Sequence, residues 1–392
     1  MAAQGPRSGV GRPSAVVSPA LESERGWQWQ LRHGVTRRAE LERWLSLSAA
    51  EQIGLQRAAE AGLAFLATPY VLSLCDPDDP ACPIRRQVVP TAAEARQVAG
   101  DLCDPLGEQA HQVADHLIRR YPDRALLLVT QRCAVHCRFC TRSRLVGRRG
   151  AIGLDELEPA MDYLQRHPEV REVIVSGGEP LTLATSALVR ILERLRAIES
   201  IEVIRLATRA PAWLPDRITA ELCDALRRFQ PLWVMAHFNH PAELTERAAR
   251  ACGRLVDAGL PVSSQTVLLR GINDQPEILE ELFRDLVRLR VRPYYLLHMD
   301  SVRGAAHLRT SVARSIAIMA RLQGNLSGIA LPKLVVDTPG GMGKVVVGPE
   351  TVVAREPGRT QLRTYRGVTV EVIDPPTDPS ADEREMGGSS QL

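Results

Sequence analysis

Cys133-Ala-Val-His-Cys137-Arg-Phe-Cys140 decides how this chain is read. Gaps of three and two residues let three thiolates reach three corners of one iron–sulfur cube, and a [4Fe–4S] cluster takes four ligands, usually cysteine. With no fourth cysteine nearby, one iron stays open to a small molecule. The run follows Ala125-Leu-Leu-Leu-Val-Thr130, an apolar stretch that reads as a buried strand, so the cysteines belong on the loop at its carboxyl end. Two rival readings exist. Buried thiols with no ligand are one. The other is a zinc knuckle, because His136 lies inside the run and Arg132, Arg138, Arg142, Arg144, Arg148 and Arg149 surround it; zinc with Cys3His ligation beside arginines would mark a nucleic-acid-binding module. His136 precedes Cys137 by one residue, an awkward position from which to close the same tetrahedron.

Composition bounds the class. At 392 residues the chain suggests two or three domains at roughly 150 residues each, although α/β barrels run larger as single units. Hydrophobic residues make up 45%, enough for a sizeable core, and a net charge of +3 argues against a polyanionic partner. Eight cysteines, scattered apart from the triad, form no disulfide framework; reduced thiols and a labile cluster point to the cytoplasm. No apolar run approaches the roughly 20 residues of a membrane span. Residues 1–26 are Gly/Pro/Ser/Ala-rich without a signal core and, like 375–392, are expected to be disordered tails.

Between the tails the pattern alternates. Residues 27–119 carry helical patterning, as in Ala39-Glu-Leu-Glu-Arg-Trp-Leu45. Over 120–330, short apolar runs at Ala125–Thr130, Val173–Ser176, Val203–Thr208, Trp233–Phe238, Ser264–Leu269 and Pro293–Leu297 alternate with amphipathic stretches at Leu188–Ile198, Thr219–Arg228, Leu244–Ala258 and Ile278–Leu289. Strands spaced by helices imply parallel βαβ units with right-handed crossovers. The expected fold is α/β: a partial (β/α)6 barrel with an N-terminal helical region. A short C-terminal extension over 331–374 holds strand-like Leu334–Val336 and Val345–Val347.

The strand ends hold further chemistry. Ser176-Gly177-Gly178-Glu179-Pro180 follows the second strand; its glycines permit close backbone approach and its carboxylate can accept from an ammonium. Val335-Val-Asp337-Thr-Pro-Gly340-Gly-Met-Gly343-Lys344 lacks the spacing and the following Ser/Thr of a P-loop. A lysine there suits Schiff-base formation with an aldehyde such as pyridoxal 5′-phosphate (PLP), and Arg120-Tyr121-Pro-Asp-Arg124 offers phosphate donors and an aromatic neighbour. The cysteine spacing after a strand resembles the radical S-adenosylmethionine (SAM) superfamily, whose open iron is chelated by SAM. Gly177, Gly178 and Glu179 then resemble the segment holding the methionyl amino group, and Phe139 the aromatic position against the adenine.

The chain from about Trp27 to Ile373 resembles the lysine 2,3-aminomutase family of PLP-dependent radical SAM enzymes. The likeness runs through Asp76-Pro-Asp-Asp-Pro80, Arg120-Tyr-Pro-Asp-Arg-Ala-Leu-Leu-Leu128, Cys140-Thr-Arg142-Ser-Arg144, Thr208-Arg-Ala-Pro211, His237-Phe-Asn-His-Pro241, Val267-Leu-Leu-Arg-Gly-Ile-Asn-Asp274 and Pro293-Tyr-Tyr295. The resemblance implies that Cys133, Cys137 and Cys140 hold the cluster. It gives Lys344 the covalent PLP link, with Arg120, Tyr121 and Arg124 gripping the cofactor, and adds His237 and Gln265 to the SAM contacts. Arg142 falls on the position binding the substrate carboxylate, and Asp300 and Asp337 on those gripping the side-chain ammonium of lysine. Burying an unpaired ammonium costs several kcal/mol, so opposite charges must be waiting; an aminomutase acting on glutamate would need a cation or amide there. The implied activity is conversion of L-lysine to β-lysine by an isomerase. An electron donor such as flavodoxin or ferredoxin and a homo-oligomer are implied as partners, with neither nucleic acid nor membrane.

Departures from the family carry weight. Many members bind a structural zinc between subunits, using a cysteine where Gln275 stands here and further cysteines near the C-terminus; no cysteine follows Cys252, so that zinc is expected to be absent. Met342 replaces a usual glycine, Leu297 stands where some members have a tyrosine near the PLP phosphate, and Ala114-Asp115-His116 replaces Val-Pro-Gly. Arginine remains an alternative substrate, since its guanidinium could also meet Asp300 and Asp337. A branch that makes β-lysine for elongation factor P ranks lower, because members placed there lack the second aspartate.

Overall fold

The computed structural model describes residues 25–61, 64–96, 98–356 and 358–373. The expected tails therefore lie outside the described residues, save Arg25 and Gly26. Strands β1 (Gln112–Ala114) and β2 (Leu117–Ile118) lead antiparallel into β3 (Arg124–Leu128). From there β4 (Glu172–Ser176), β5 (Val203–Thr208), β6 (Leu232–His237), β7 (Val262–Leu268), β8 (Arg292–His298) and β9 (Lys333–Asp337) follow in parallel, each beside its predecessor. β10 (Lys344–Val346) ends the sheet antiparallel to β9. Leu126 of β3 and Val335 of β9 line the same cavity, so the sheet curls into an incomplete barrel.

A helix crosses over at each step from β3 to β9, the six β/α units expected from the sequence. The helices bury one stripe each, and in five of the six crossovers the spacing is the same. Leu188, Ile191, Leu192 and Leu195 are buried on helix Thr185–Arg196; Leu279, Leu282, Phe283 and Leu286 on Pro276–Arg288. That i, i+3, i+4, i+7 pattern is one face of an α-helix, and each buried Leu stabilises the fold by roughly 1.5–3 kcal/mol. Hydroxyls start several helices: Thr219 accepts from Leu222 N at 3.1 Å, and Thr245 from Ala248 N at 3.2 Å, each cap contributing about 1 kcal/mol. Two crossover helices, Leu154–Arg166 and Val312–Leu322, were not anticipated. In the first, Pro159 masks an otherwise regular stripe of Leu157, Ala160, Met161 and Leu164.

The N-terminal helical region buttresses the cysteine loop. It is itself locked by a buried pair, Arg85 Nε to Glu51 Oε1 at 2.7 Å and Nη2 to Oε2 at 2.8 Å. Removing one partner of such a pair costs about 3–5 kcal/mol. Leu66 O accepts from His136 N and Gln87 O from Arg138 N, both at 2.9 Å, and Glu94 accepts from Arg138 Nε at 2.9 Å. After β10, β11 (Val352–Glu356), β12 (Arg359–Arg363) and β13 (Thr369–Ile373) form a separate antiparallel sheet. Its mostly exposed strands lack a buried alternation to betray them in the sequence.

Candidate active site

The carboxyl ends of the parallel strands open into one chamber of about 700 Å³, within the usual range of small-molecule sites. Every residue singled out from the sequence lines it: the three cysteines, Phe139, Gly177, Gly178, Glu179, His237 and Gln265, together with Arg120, Tyr121, Arg124, Arg142, Asp300, Asp337 and Lys344.

The three thiols are half-buried in the chamber wall. Burial and the neighbouring thiols push Cys133 well up, and burial pushes Cys140 up to about 11. Cys137 is also raised by burial but is opposed by Arg209, whose Nη1 donates to Sγ at 3.2 Å. Three such thiols bind as thiolates only when a metal cation displaces their protons. Among the described residues no three His, Cys, Asp or Glu side chains converge closely enough to hold a single ion. The three cysteines line one cavity, where a single multinuclear group could meet all of them. His136 is engaged elsewhere: its Nδ1 lies 2.8 Å from Ala64 O, and Gly147 packs so closely that a Cβ there would sit 2.8 Å from the ring. A Cys3His zinc set is not formed.

The Gly-Gly-Glu turn has a different local cause from the one its sequence suggested. A Cβ on Gly177 would lie 2.2 Å from Thr130 O and one on Gly178 2.3 Å from Arg132 O, so the close approach is to the cysteine loop's own backbone. Gly177 also has φ 142°, open to glycine alone. Glu179 N donates to Arg132 O at 2.8 Å, tying the loop to the end of β4. The Glu179 carboxylate accepts from Leu181 N at 3.0 Å, Thr208 Oγ1 at 2.6 Å and Arg209 N at 2.7 Å. Burial pushes its pKa up all the same, and a cationic group on a ligand would offset that cost. Phe139 and His237 face each other with ring centroids 5.9 Å apart. Burial, aided by Arg209, holds His237 well below its ordinary value, so the ring is neutral.

Across the chamber the β9–β10 hairpin places Lys344 opposite Asp337. Lys344 Nζ is ion-paired to Asp337, which also accepts from Arg120 Nη2 at 2.9 Å. Lys344 N donates to the Tyr121 hydroxyl at 2.9 Å, and Arg124 lies 3.9 Å above the Tyr121 ring. Asp300 has no ion-pair partner among the described residues. Burial and then Asp337 push it up to about 7. Arg142 is aimed by Glu108, donating from Nε at 2.8 Å, and reaches Ser176 Oγ at 3.3 Å.

Sequence reasoning missed Glu108, Arg205 and Arg209. Glu108 is 2% exposed and pairs with both Arg142 and Arg144. Arg205 pairs with Glu172 yet keeps a buried Nε without a partner in the chamber wall. An amine, three arginines and a tyrosine around one cavity fit an anionic aromatic aldehyde held through a lysine. Of the departures, Met342 is 86% exposed and Leu297 lines the chamber. His116 has φ 62°, the left-handed region where a glycine would be unstrained.

The comparisons with known proteins agree with this geometry. The Radical SAM superfamily model matches residues 127–283, so the barrel with its cysteine loop defines a radical SAM protein, with a [4Fe–4S] cluster and SAM. A second model, described as Lysine-2,3-aminomutase, matches residues 319–386. The L-lysine 2,3-aminomutase of Fusobacterium nucleatum subsp. nucleatum is 42% identical over 364 residues, 92% of this chain and 85% of that protein. The L-lysine 2,3-aminomutase of Clostridium subterminale is 41% identical over 350 residues, 89% of this chain and 84% of that protein. At 35% over 365 residues, the glutamate 2,3-aminomutase of Clostridioides difficile is also similar, covering 92% and 86% of the two chains. The chain belongs to the lysine 2,3-aminomutase family.

Proposed function

We propose that this protein is an isomerase that moves the α-amino group of L-lysine to the β-carbon, giving β-lysine, with PLP as a third cofactor. One observation carries the substrate assignment: Asp300 and Asp337 line the same chamber as Arg142, so acids and a cation are both available to a dibasic amino acid. When bound, the cluster with SAM supplies a carbon radical, and PLP supplies the carbonyl through which nitrogen can migrate.

The chain's own residues place and shield. Cys133, Cys137 and Cys140 would hold the cluster, while Glu179, Gly177, Gly178, Phe139, His237 and Gln265 surround the SAM position. Arg120, Tyr121, Arg124 and Arg205 would hold PLP, and Lys344 would present the anchoring amine. Asp337, ion-paired with both Lys344 and Arg120, holds that amine in the chamber wall. Arg142, aimed by Glu108, binds the substrate carboxylate. Asp300, raised to about 7, gives up its proton when an ammonium docks, because an opposite charge favours the carboxylate. A misplacement of about 1 Å in such a constellation costs on the order of a hundredfold. The eight cysteines, none in a disulfide among the described residues, support a reducing cytoplasmic setting and an electron donor of the flavodoxin or ferredoxin type. The exposed valines of β11–β13 support a homo-oligomer.

Anaerobic turnover with lysine, arginine, ornithine and glutamate in parallel tests the reading. Lysine is expected to be the best substrate, with glutamate inert because the acidic wall repels it. Preference for arginine would transfer the same chemistry to a guanidinium, and turnover of glutamate would remove Asp300 and Asp337 from the substrate site.

A further inference from the structure

Arg209 is a guanidinium hydrogen-bonded to one of the three loop cysteines. It follows β5 and is 9% exposed. Its Nη1 donates to Cys137 Sγ at 3.2 Å. Its Nη2 is fixed by two acceptors, Gln87 Oε1 at 2.6 Å and Glu243 Oε1 at 3.1 Å. The guanidinium lies 3.3 Å above the Trp213 ring and 5.4 Å from the Phe139 ring, so its plane cannot swing freely. Its Nε is buried with no partner, a spare donor in the wall of the same chamber.

The clamp is itself complete. Gln87 Nε2 donates to Glu243 Oε1 at 2.9 Å, and Asn239 N donates to Glu243 Oε2 at 3.0 Å. Gln87 Oε1 also accepts from Asn239 Nδ2 at 2.9 Å. A buried arginine held this fully has paid its ordering cost in advance, and its position relative to Cys137 is set by the fold. Gln87 ties in the N-terminal region as well, because its carbonyl accepts from Arg138 N in the cysteine loop.

We infer that Arg209 is a positioning residue for electron transfer: it hydrogen-bonds the Cys137 sulfur of the bound cluster and raises the cluster's reduction potential. The physical ground is charge. Reduction adds one electron to the cluster and its thiolates, and a fixed cation with an N–H aimed at one sulfur stabilises the reduced form more than the oxidised form. Glu243 neutralises part of that charge, so the directed hydrogen bond carries much of the effect. This inference rests on the three-cysteine cluster proposed above and assigns a role to a residue which that reading leaves unused.

The test is a redox titration of the reconstituted wild type, Arg209→Gln and Arg209→Lys, followed by electron paramagnetic resonance of the reduced cluster, with iron and sulfide content measured on each. At equal cluster content, Arg209→Gln is expected to lower the midpoint potential. A tenfold fall in the ratio of reduced to oxidised cluster at a fixed reductant poise corresponds to about 59 mV for one electron. Arg209→Lys keeps a cation beside Glu243 but is too short to serve both the clamp and the sulfur, so it should shift the same way by less. An unchanged potential in both, or loss of SAM affinity alone, would overturn the inference and make Arg209 a ligand contact. If the variants fail to fold, wild-type protein carrying guanidino-15N arginine decides. Pulsed resonance of its reduced cluster should show coupling to 15N, and no coupling sinks the idea. A wild type that binds no cluster at all would instead defeat the cluster reading itself.

Discussion

Replacing Asp300 by asparagine separates what this carboxylate costs the fold from what it gives the substrate. Its pKa moves from 3.8 in the unfolded chain to about 7 in the folded one. At 1.36 kcal/mol per pH unit, the native state at pH 8 is therefore destabilised on the order of 4 kcal/mol by this group. The direction follows from proton counts. Between pH 4 and 7 the native state keeps a proton that the unfolded chain has lost, so stability falls as pH rises through that range and levels off above it. Asparagine cannot ionise, so Asp300→Asn removes the slope. Anaerobic guanidinium unfolding should find the variant more stable than wild type at pH 8.5, with the gap shrinking steadily towards pH 4. Activity should move the other way: deleting one partner of a buried ion pair costs about 3–5 kcal/mol, so kcat/KM for lysine should drop on the order of a hundred- to a few thousandfold. In the wild type, apparent lysine affinity should rise from pH 6 to 7.5 as Asp300 ionises, and this dependence should be missing in the variant. A variant less stable than wild type at pH 8.5, or one that keeps lysine turnover, would refute the reasoning.

Other expectations concern the remaining walls of the chamber. Lys344→Ala should remove the visible PLP band and its reduction by borohydride while cluster content stays normal; a persisting band would place the cofactor elsewhere. Gly177→Ala, whose new methyl would collide with Thr130 O at 2.2 Å, should lose several kcal/mol of stability and most of the bound iron, and normal iron loading would show that the loop tolerates displacement. Glu108→Gln should leave Arg142 poorly aimed and raise KM for lysine about tenfold with a smaller change in kcat, measured by steady-state assay. His136→Ala should leave iron content unchanged, because its ring faces Ala64 O and Gly147 rather than the cysteines.

What could be read before folding was local. Apolar β-branched runs between helical stretches mark strands, and the run Val203–Thr208 coincides with β5, whose alternate residues Ile204, Leu206 and Thr208 are buried. The strand-end residues were legible because the cysteine spacing, the Gly-Gly-Glu turn and the lysine loop are each contiguous. What was hidden depends on contacts across the chain. Glu108 meets Arg142 from 34 residues away, and Gln87 meets Arg209 from 122; neither acceptor stands in a patterned segment. Pro159 disguised a helix that packing of its apolar stripe maintains. His136 drew a zinc reading only through its place among the cysteines; in the fold its Nδ1 lies 2.8 Å from Ala64 O and its ring packs on Gly147.

Mössbauer spectroscopy of anaerobically prepared protein, with and without SAM, most directly tests whether three sulfurs hold a cube with one free corner. The account predicts about four irons per chain in a cubane, with one iron site changing its signal when SAM is added. Iron indifferent to SAM, or zinc in place of iron, would contradict it.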